Sequence, residues 1–146
     1  MRFIVFFILT AMLVAGCVRK DSEETNTAED CAKRFVEAFY NFEYKKAFGL
    51  CAQENDSWLR LYVSNLSEED LKSIKTLTSR PEIDDCRIIV QNGDSAVVEC
   101  SLHNVFVIDG IGSQGHMESD ATVCVHLIKE KDEWRVRMAG LPRNEK

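Results

Sequence analysis

The chain has 146 residues, with 18 Lys plus Arg against 24 Asp plus Glu, giving a formal charge of −6. That length fits one domain and not comfortably two, and the acidic balance argues against a nucleic-acid partner, which needs clustered positive charge. Hydrophobic residues make up 45% and charged residues 29%, as in a globular rather than a disordered chain. Six cysteines raise the question of redox compartment.

Met1 and Arg2 precede residues 3–15 (FIVFFILTAMLVA), which are apolar except for Thr10. A helix of that length spans roughly 20 Å. A hydrocarbon core is about 30 Å thick, so the segment reads as the apolar part of a signal peptide rather than a membrane span. It ends in Leu13-Val14-Ala15-Gly16-Cys17. This resembles the bacterial lipobox: a branched apolar residue three before the Cys, two small residues, then Cys. The resemblance implies lipidation of Cys17, cleavage after Gly16 and acylation of the new amine. Two or more chains, at about 0.8 kcal/mol per buried CH₂, hold a protein stably in a membrane. An ordinary secretory signal is the competing reading, because small residues also precede its cleavage site. Val18, in place of Asp, resembles the sorting pattern of outer-membrane lipoproteins. Residues Arg19-Lys20-Asp21-Ser22-Glu23-Glu24 resemble the basic-then-acidic export tag of surface lipoproteins and read equally as a solvated tether. The chain thus divides into a signal at 1–16, a lipidated Cys and tether at 17–26, and one domain at 27–146.

Thr27 can cap a helix whose first turn holds Asp30. Cys31, Phe35 and Phe39 recur at i, i+4 and i+8, with Ala32 and Val36 beside them, as one apolar face. Asn41-Phe42-Glu43 reads as a tight link. Tyr44, Ala47, Phe48 and Cys51 mark a second helix, and Trp58, Leu59, Leu61 and Tyr62 a third. Ser67 and Asp70 form a further cap, with Leu66 and Leu71 placed as a hydrophobic staple, on a helix ending before Pro81. From Ile83 the period becomes two. Cys86, Ile88 and Val90 point inward on a first strand, and Asn92-Gly93-Asp94 signals a hairpin. Ala96, Val98, Cys100, Leu102, Phe106 and Ile108 mark a long second strand. Val123, Val125 and Leu127 mark a third, and Trp134, Val136 and Met138 a fourth. The expected fold is α+β: N-terminal helices packed across a four-stranded antiparallel meander.

The stretch Ala32-Lys33-Arg34-Phe35-Val36-Glu37-Ala38-Phe39-Tyr40, its short link, the following helix to Phe48 and the Trp134-Arg135-Val136 ending resemble the cystatin-like, nuclear transport factor 2-like superfamily. The similarity runs over residues 28–139, and small bacterial lipoproteins of unknown function are its nearest match. It implies helices closing a strongly curved sheet into a cone. It also implies isomerases, dehydratases or non-catalytic binding modules, among which fold alone does not choose.

Few residues carry chemistry. Gly110-Ile111-Gly112-Ser113-Gln114-Gly115 matches GxGxxG literally, but a dinucleotide fingerprint needs a strand before it and a helix after it. A strand follows instead, so the glycines read as a flexible loop. His103, His116 and His126, with Cys124, could supply zinc ligands, yet none shows the spacing of a metal motif, so they read as surface histidines and no metal or cofactor is implied. The resemblance places polar residues inside the cone. Asn104, the one polar interruption on the inward face of the second strand, and Tyr40, Tyr44 and Tyr62 on the helices are the ligand-binding candidates. Asp84 and Asp85 stand before the first strand. None matches a catalytic pattern. Asn55-Asp56-Ser57 and Asn65-Leu66-Ser67 fit the N-glycosylation pattern, which in a bacterial lipoprotein arises by chance.

With Cys17 lipidated, five cysteines remain, an odd number. A three-residue turn at Asn92, Gly93 and Asp94 pairs Gln91 with Ser95 and sets Cys86 against Cys100. At a non-hydrogen-bonded site, Cα atoms about 4.5 Å apart accept a disulfide. Cys31 and Cys51 lie on apolar faces of linked helices. The expectation is 31–51 and 86–100 with Cys124 unpaired, against buried thiols packing as small hydrophobes. The sequence thus reads as an outer-membrane lipoprotein whose domain binds a small apolar or amphipathic ligand or an envelope protein. An isomerase or dehydratase using the cone is the alternative, and a protease inhibitor presenting the 109–115 loop is a third reading. A homodimer through the convex sheet face is a further expectation.

Overall fold

The computed structural model describes residues 26–53, 57–110, 112–140 and 142. The signal segment, Cys17 and positions 18–25 lie outside the described residues, as do 55 and 56 of the first glycosylation pattern.

Helix α1 (Ala28–Tyr40) starts where Thr27 takes extended backbone and its hydroxyl accepts from the Asp30 amide at 3.1 Å. Cys31, Ala32, Phe35, Val36 and Phe39 are all buried, so the expected apolar face is the one that packs. Asn41 and Phe42 turn the chain, and the Glu43 amide donates back to the Ala38 carbonyl at 2.8 Å. Helices α2 (Tyr44–Leu50), α3 (Ser57–Ser64) and α4 (Glu68–Thr76) follow. The Ser67–Asp70 capping box at α4 is complete in both directions. Among the described residues no helix is long and apolar enough to cross a membrane.

Strands β1 (Glu82–Asn92), β2 (Ser95–Val107), β3 (His116–Glu130) and β4 (Glu133–Val136) form one antiparallel sheet in the order β1-β2-β3-β4. The sheet is curved and unclosed, and the helices precede it. Helix α1 lies across all four strands. Phe35, Val36, Leu59, Val98, Leu102, Val123, Leu127 and Val136 are essentially fully buried between the layers. Each such aliphatic or aromatic side chain contributes about 1.5–3 kcal/mol on burial.

Cys86 stands opposite Cys100 and is bonded to it, with Cα atoms 4.2 Å apart. The route to that register differs from the expected one. The turn has two residues, Gly93 and Asp94, so Asn92 pairs with Ser95 and Gln91 with Ala96. An irregularity between Ile88 and Val90 then takes up Ile89 and restores the pairing of Ile88 with Val98. One extra residue also moves the alternation to the other face. Val90, expected inward, is therefore 47% exposed beside the equally exposed Ile89.

The expected Cys31–Cys51 disulfide is not formed. The Cys31 thiol donates to the Trp134 carbonyl at 3.2 Å, and the Cys51 thiol to the Ala47 carbonyl at 3.4 Å with Met138 Sδ 3.9 Å away. Helix α1 turns Cys31 onto β4, while Cys51 just after α2 turns back to Ala47 and toward Met138 beyond β4, so the two sulfurs have different neighbours. Burial pushes the Cys31 thiol up to about 11, which keeps it protonated and inert. Cys124, on the outer face of β3, is also a thiol. In the denatured, unreduced chain, a thiol-blocking reagent should label Cys31, Cys51 and Cys124 but not Cys86 or Cys100, as read by peptide mass spectrometry. Replacing Cys86 and Cys100 by Ala should lower the free energy of unfolding in urea by about 3 kcal/mol, the value for a loop of this length.

Candidate functional site

Tyr40 ends α1, Tyr44 begins α2 and Tyr62 sits on α3. Their rings gather around Phe39, with centroids 5.1 Å, 6.0 Å and 5.3 Å from it. This aromatic cluster fills the space between helices and sheet where the cone was expected to hold a ligand. The Tyr44 hydroxyl is buried close to that of Tyr62, but has no partner in hydrogen-bond geometry. Burial raises the pKa of all three phenols, and the Asp70 carboxylate adds to the effect at Tyr44 and Tyr62. Tyr62 is pushed up to about 12 and the other two beyond it. At neutral pH these groups are therefore hydrogen-bond donors and not bases.

Two of the four expected ligand residues do meet. Tyr40 and Asn104 line one cleft of about 140 Å³ between the end of α1, the link from α4 to β1, and β2. Phe42 and Phe106 add aromatic walls, and Ile74, Leu77 and Pro81 add aliphatic ones. Arg80 stands at its edge. Tyr44 and Tyr62 do not reach this cleft and belong to the packed cluster behind it.

The backbone marks the same place. Four described non-glycine residues have positive φ: Phe42, Asn104, Lys131 and Asp132. Lys131 and Asp132 make the tight turn between β3 and β4. Phe42 (φ 61°) and Asn104 (φ 55°) both line the cleft. A left-handed conformation costs an L residue about 1–2 kcal/mol, and for a bulky aromatic it is an outlier. Strain of this kind persists where surrounding contacts over-determine it, and it gathers at ligand sites. At Phe42 those contacts are the backbone bonds flanking it and its ring, which packs on Tyr44 and Phe106. At Asn104 the β2–β3 ladder skips one pair and resumes at Val105. The break exposes Asn104, expected inward, and buries Val105, Phe106 and Val107 in succession. Among the described residues the Tyr40 hydroxyl, the Asn104 amide and the Arg80 guanidinium make no hydrogen bond or ion pair.

The glycine-rich segment is tied to α4 at its last residue. Asp70, 4% exposed, accepts from the Ser67 amide at 3.0 Å, the Ser67 hydroxyl at 2.6 Å and the Gly115 amide at 3.2 Å. The Ser67 hydroxyl is the main force holding this carboxyl below its usual value of 3.8, against the opposing effect of burial. A Cβ at Gly115 would lie 2.2 Å from the Phe106 ring, so only glycine allows the two to approach. The clamp therefore fixes one wall of the cleft.

The histidines are not brought together. His103, on β2, holds Asp84 Oδ2 at 2.5 Å through Nε2 and Asp120 Oδ1 at 2.6 Å through Nδ1, bridging β1, β2 and β3. The Asp84 hydrogen bond, then that of Asp120, raises its pKa above 6.5. Asp84 lies within β1 rather than before it. His116 contacts Glu118 at 3.1 Å and Asp109 at 3.8 Å, while His126 stands exposed on β3 near Cys124. Among the described residues no three His, Cys, Asp or Glu side chains converge as a metal site.

No family model matches this chain, and no curated protein matches it in sequence. Among solved structures, one similar chain is a protein of unknown function from Mycobacterium tuberculosis, 18% identical, covering 80% of this chain and 68% of its own, with a TM-score of 0.47.

Two outcomes check the geometry. Asn104→Val should lose about 1–2 kcal/mol of stability, because a β-branched residue fits the left-handed region poorly, while Asn104→Gly should lose none in the same denaturation series. For His103, a raised folded pKa means that its contribution to stability is complete below 6.5 and is lost as pH rises through the folded midpoint. NMR titration should place that midpoint above 6.5, and His103→Gln should remove this pH dependence of unfolding.

Proposed function

We propose that this chain is a lipid-anchored outer-membrane protein whose domain, of cystatin-like, nuclear transport factor 2-like type, is a non-catalytic module binding a small amphipathic ligand. The lipobox-like Val14-Ala15-Gly16-Cys17 and the following Val18 support the anchor and its destination. The cleft beside Tyr40 and Asn104 carries the binding reading: among the described residues it is where two left-handed non-glycine residues outside a hairpin turn flank apolar side chains and solvent-facing donors. An isomerase or dehydratase needs a group in its pocket that titrates near neutrality. Tyr40, the phenol that lines the cleft, is driven the other way by burial, which favours binding over catalysis. A protein partner is the second reading, favoured by Ile89 and Val90, both half-exposed on the edge strand β1.

Native mass spectrometry of the chain extracted from its membrane should show two additions. One is covalent, survives denaturation and maps to the N-terminal Cys17. The other is small and leaves on denaturation. A chain starting at Met1 with no acyl mass would overturn the anchor, and a bare domain that takes up no small molecule when challenged would turn the binding reading toward a protein.

A further inference from the structure

We infer that the ligand of the Tyr40–Asn104 cleft is a small monocarboxylate with a compact, six-carbon-sized apolar body, its carboxylate paired with Arg80. This rests on reading the cleft as a binding site, and it names the chemistry that fits there.

The size comes from the cavity. A closed apolar cavity of about 150 Å³ accepts benzene; this cleft, open on one side, offers about 140 Å³ and so sets a comparable upper size for the buried part of a ligand. Three aromatic rings and three aliphatic side chains line it beside the polar Asn41, Ser79, Arg80 and Asn104, so the lining suits a molecule with one apolar and one polar end. Phe42 and Phe106 already meet at 66°, so a flat ring can continue the same edge-to-face contact.

The charge comes from the rim. Arg80 offers five N–H donors, Tyr40 a phenolic O–H that does not ionise at neutral pH, and Asn104 an amide. No acidic side chain lines the cleft, so a cation finds no counterion there. Arg87 pairs with Glu99, Arg135 with Glu133 and Lys46 with Glu43. Arg80, like Arg137 and several lysines, has no ion-pair partner among the described residues, and it is the cation that lines the cleft. A guanidinium fork beside an apolar cleft matches a carboxylate with both oxygens engaged.

The test titrates the full chain, isotope-labelled and held in a non-ionic detergent, with benzoate and with its neutral counterpart benzamide. Benzoate should give saturable NMR shifts at the Phe42, Asn104 and Phe106 amides. Arg80→Gln should weaken it by about tenfold or more, the scale of a hydrogen bond to a charged group. Because Arg80 is exposed, this variant should keep the parent spectrum. Benzamide should bind more weakly than benzoate and equally well to both chains. If benzamide matches benzoate, or Arg80→Gln leaves benzoate unchanged, the carboxylate inference fails while the cleft remains a binding site. If neither probe shifts these amides, both readings fail.

Discussion

Phe42 and Phe106 meet edge to face with ring centroids 6.1 Å apart, and the architecture around the cleft depends on that contact. Each ring comes from next to an irregular point in the backbone. Phe42 is itself the left-handed residue that turns α1 into α2, and Phe106 follows the left-handed Asn104 by two residues. Without the first, the helix pair would not fold back. Without the second, alternation would continue through β2 and the polar Asn104 would occupy an inward position. The two local costs are offset by one shared contact and by the burial it permits. Gly115 completes it from the other side, since the Phe106 ring occupies the space that any Cβ there would need. Asp70 then ties Gly115 to the first turn of α4.

A buried aromatic cluster and a small open cleft divide the molecule's polar chemistry between them. Behind the cleft, Phe35, Phe39, Tyr44 and Tyr62 stack at ring separations of about 5–6 Å and leave the layer between helices and sheet filled. Hydroxyls in that layer are held protonated by desolvation. At the cleft, the donors stand at the margin of the apolar walls, where water can solvate them until something replaces it. The outer face of the sheet works differently. There His103 joins three strands through two carboxylates and Arg87 joins β1 to β2 through Glu99, so paired charges stand on that surface beside the exposed Val90.

Much of this fold was legible because its signals are local. Thr27 with Asp30 and Ser67 with Asp70 announce helix starts through side chains three residues apart, and both caps form. The opposition of Cys86 and Cys100 was legible too, though through a compensating pair of differences: a turn one residue shorter, and an extra residue taken up at Ile89. Bulges leave no mark in residue type when the inserted residue is as apolar as its neighbours. The Cys31–Cys51 pairing failed for a related reason. Two helices in sequence are neighbours in space, but their rotation about their own axes is set by the sheet beneath, and here the two thiols have different neighbours, Cys31 on β4 and Cys51 against Ala47 and Met138. Within the site, Tyr40 and Asn104 were readable as polar residues on apolar faces. Phe42 was not, since nothing in an Asn-Phe-Glu link says that the phenylalanine takes the left-handed turn in place of the asparagine that tolerates it better. Arg80 was missed because a lone arginine before a proline reads as solvated surface.

For an acidic chain to take up an anion at this cleft, as inferred above, two electrostatic scales must be reconciled. The net charge of −6 repels a carboxylate at long range, and the Arg80 fork attracts it at contact. At physiological ionic strength the Debye length is about 8 Å, shorter than the dimensions of the domain, so the distant acidic groups are largely screened at the cleft. Arg80 is exposed, so what favours the contact is its short range and the paired hydrogen bonds of the guanidinium fork. Local geometry therefore outweighs total charge in deciding what this site accepts. On the proposed reading, a lipid at Cys17 would hold the domain to a membrane without help from surface charge.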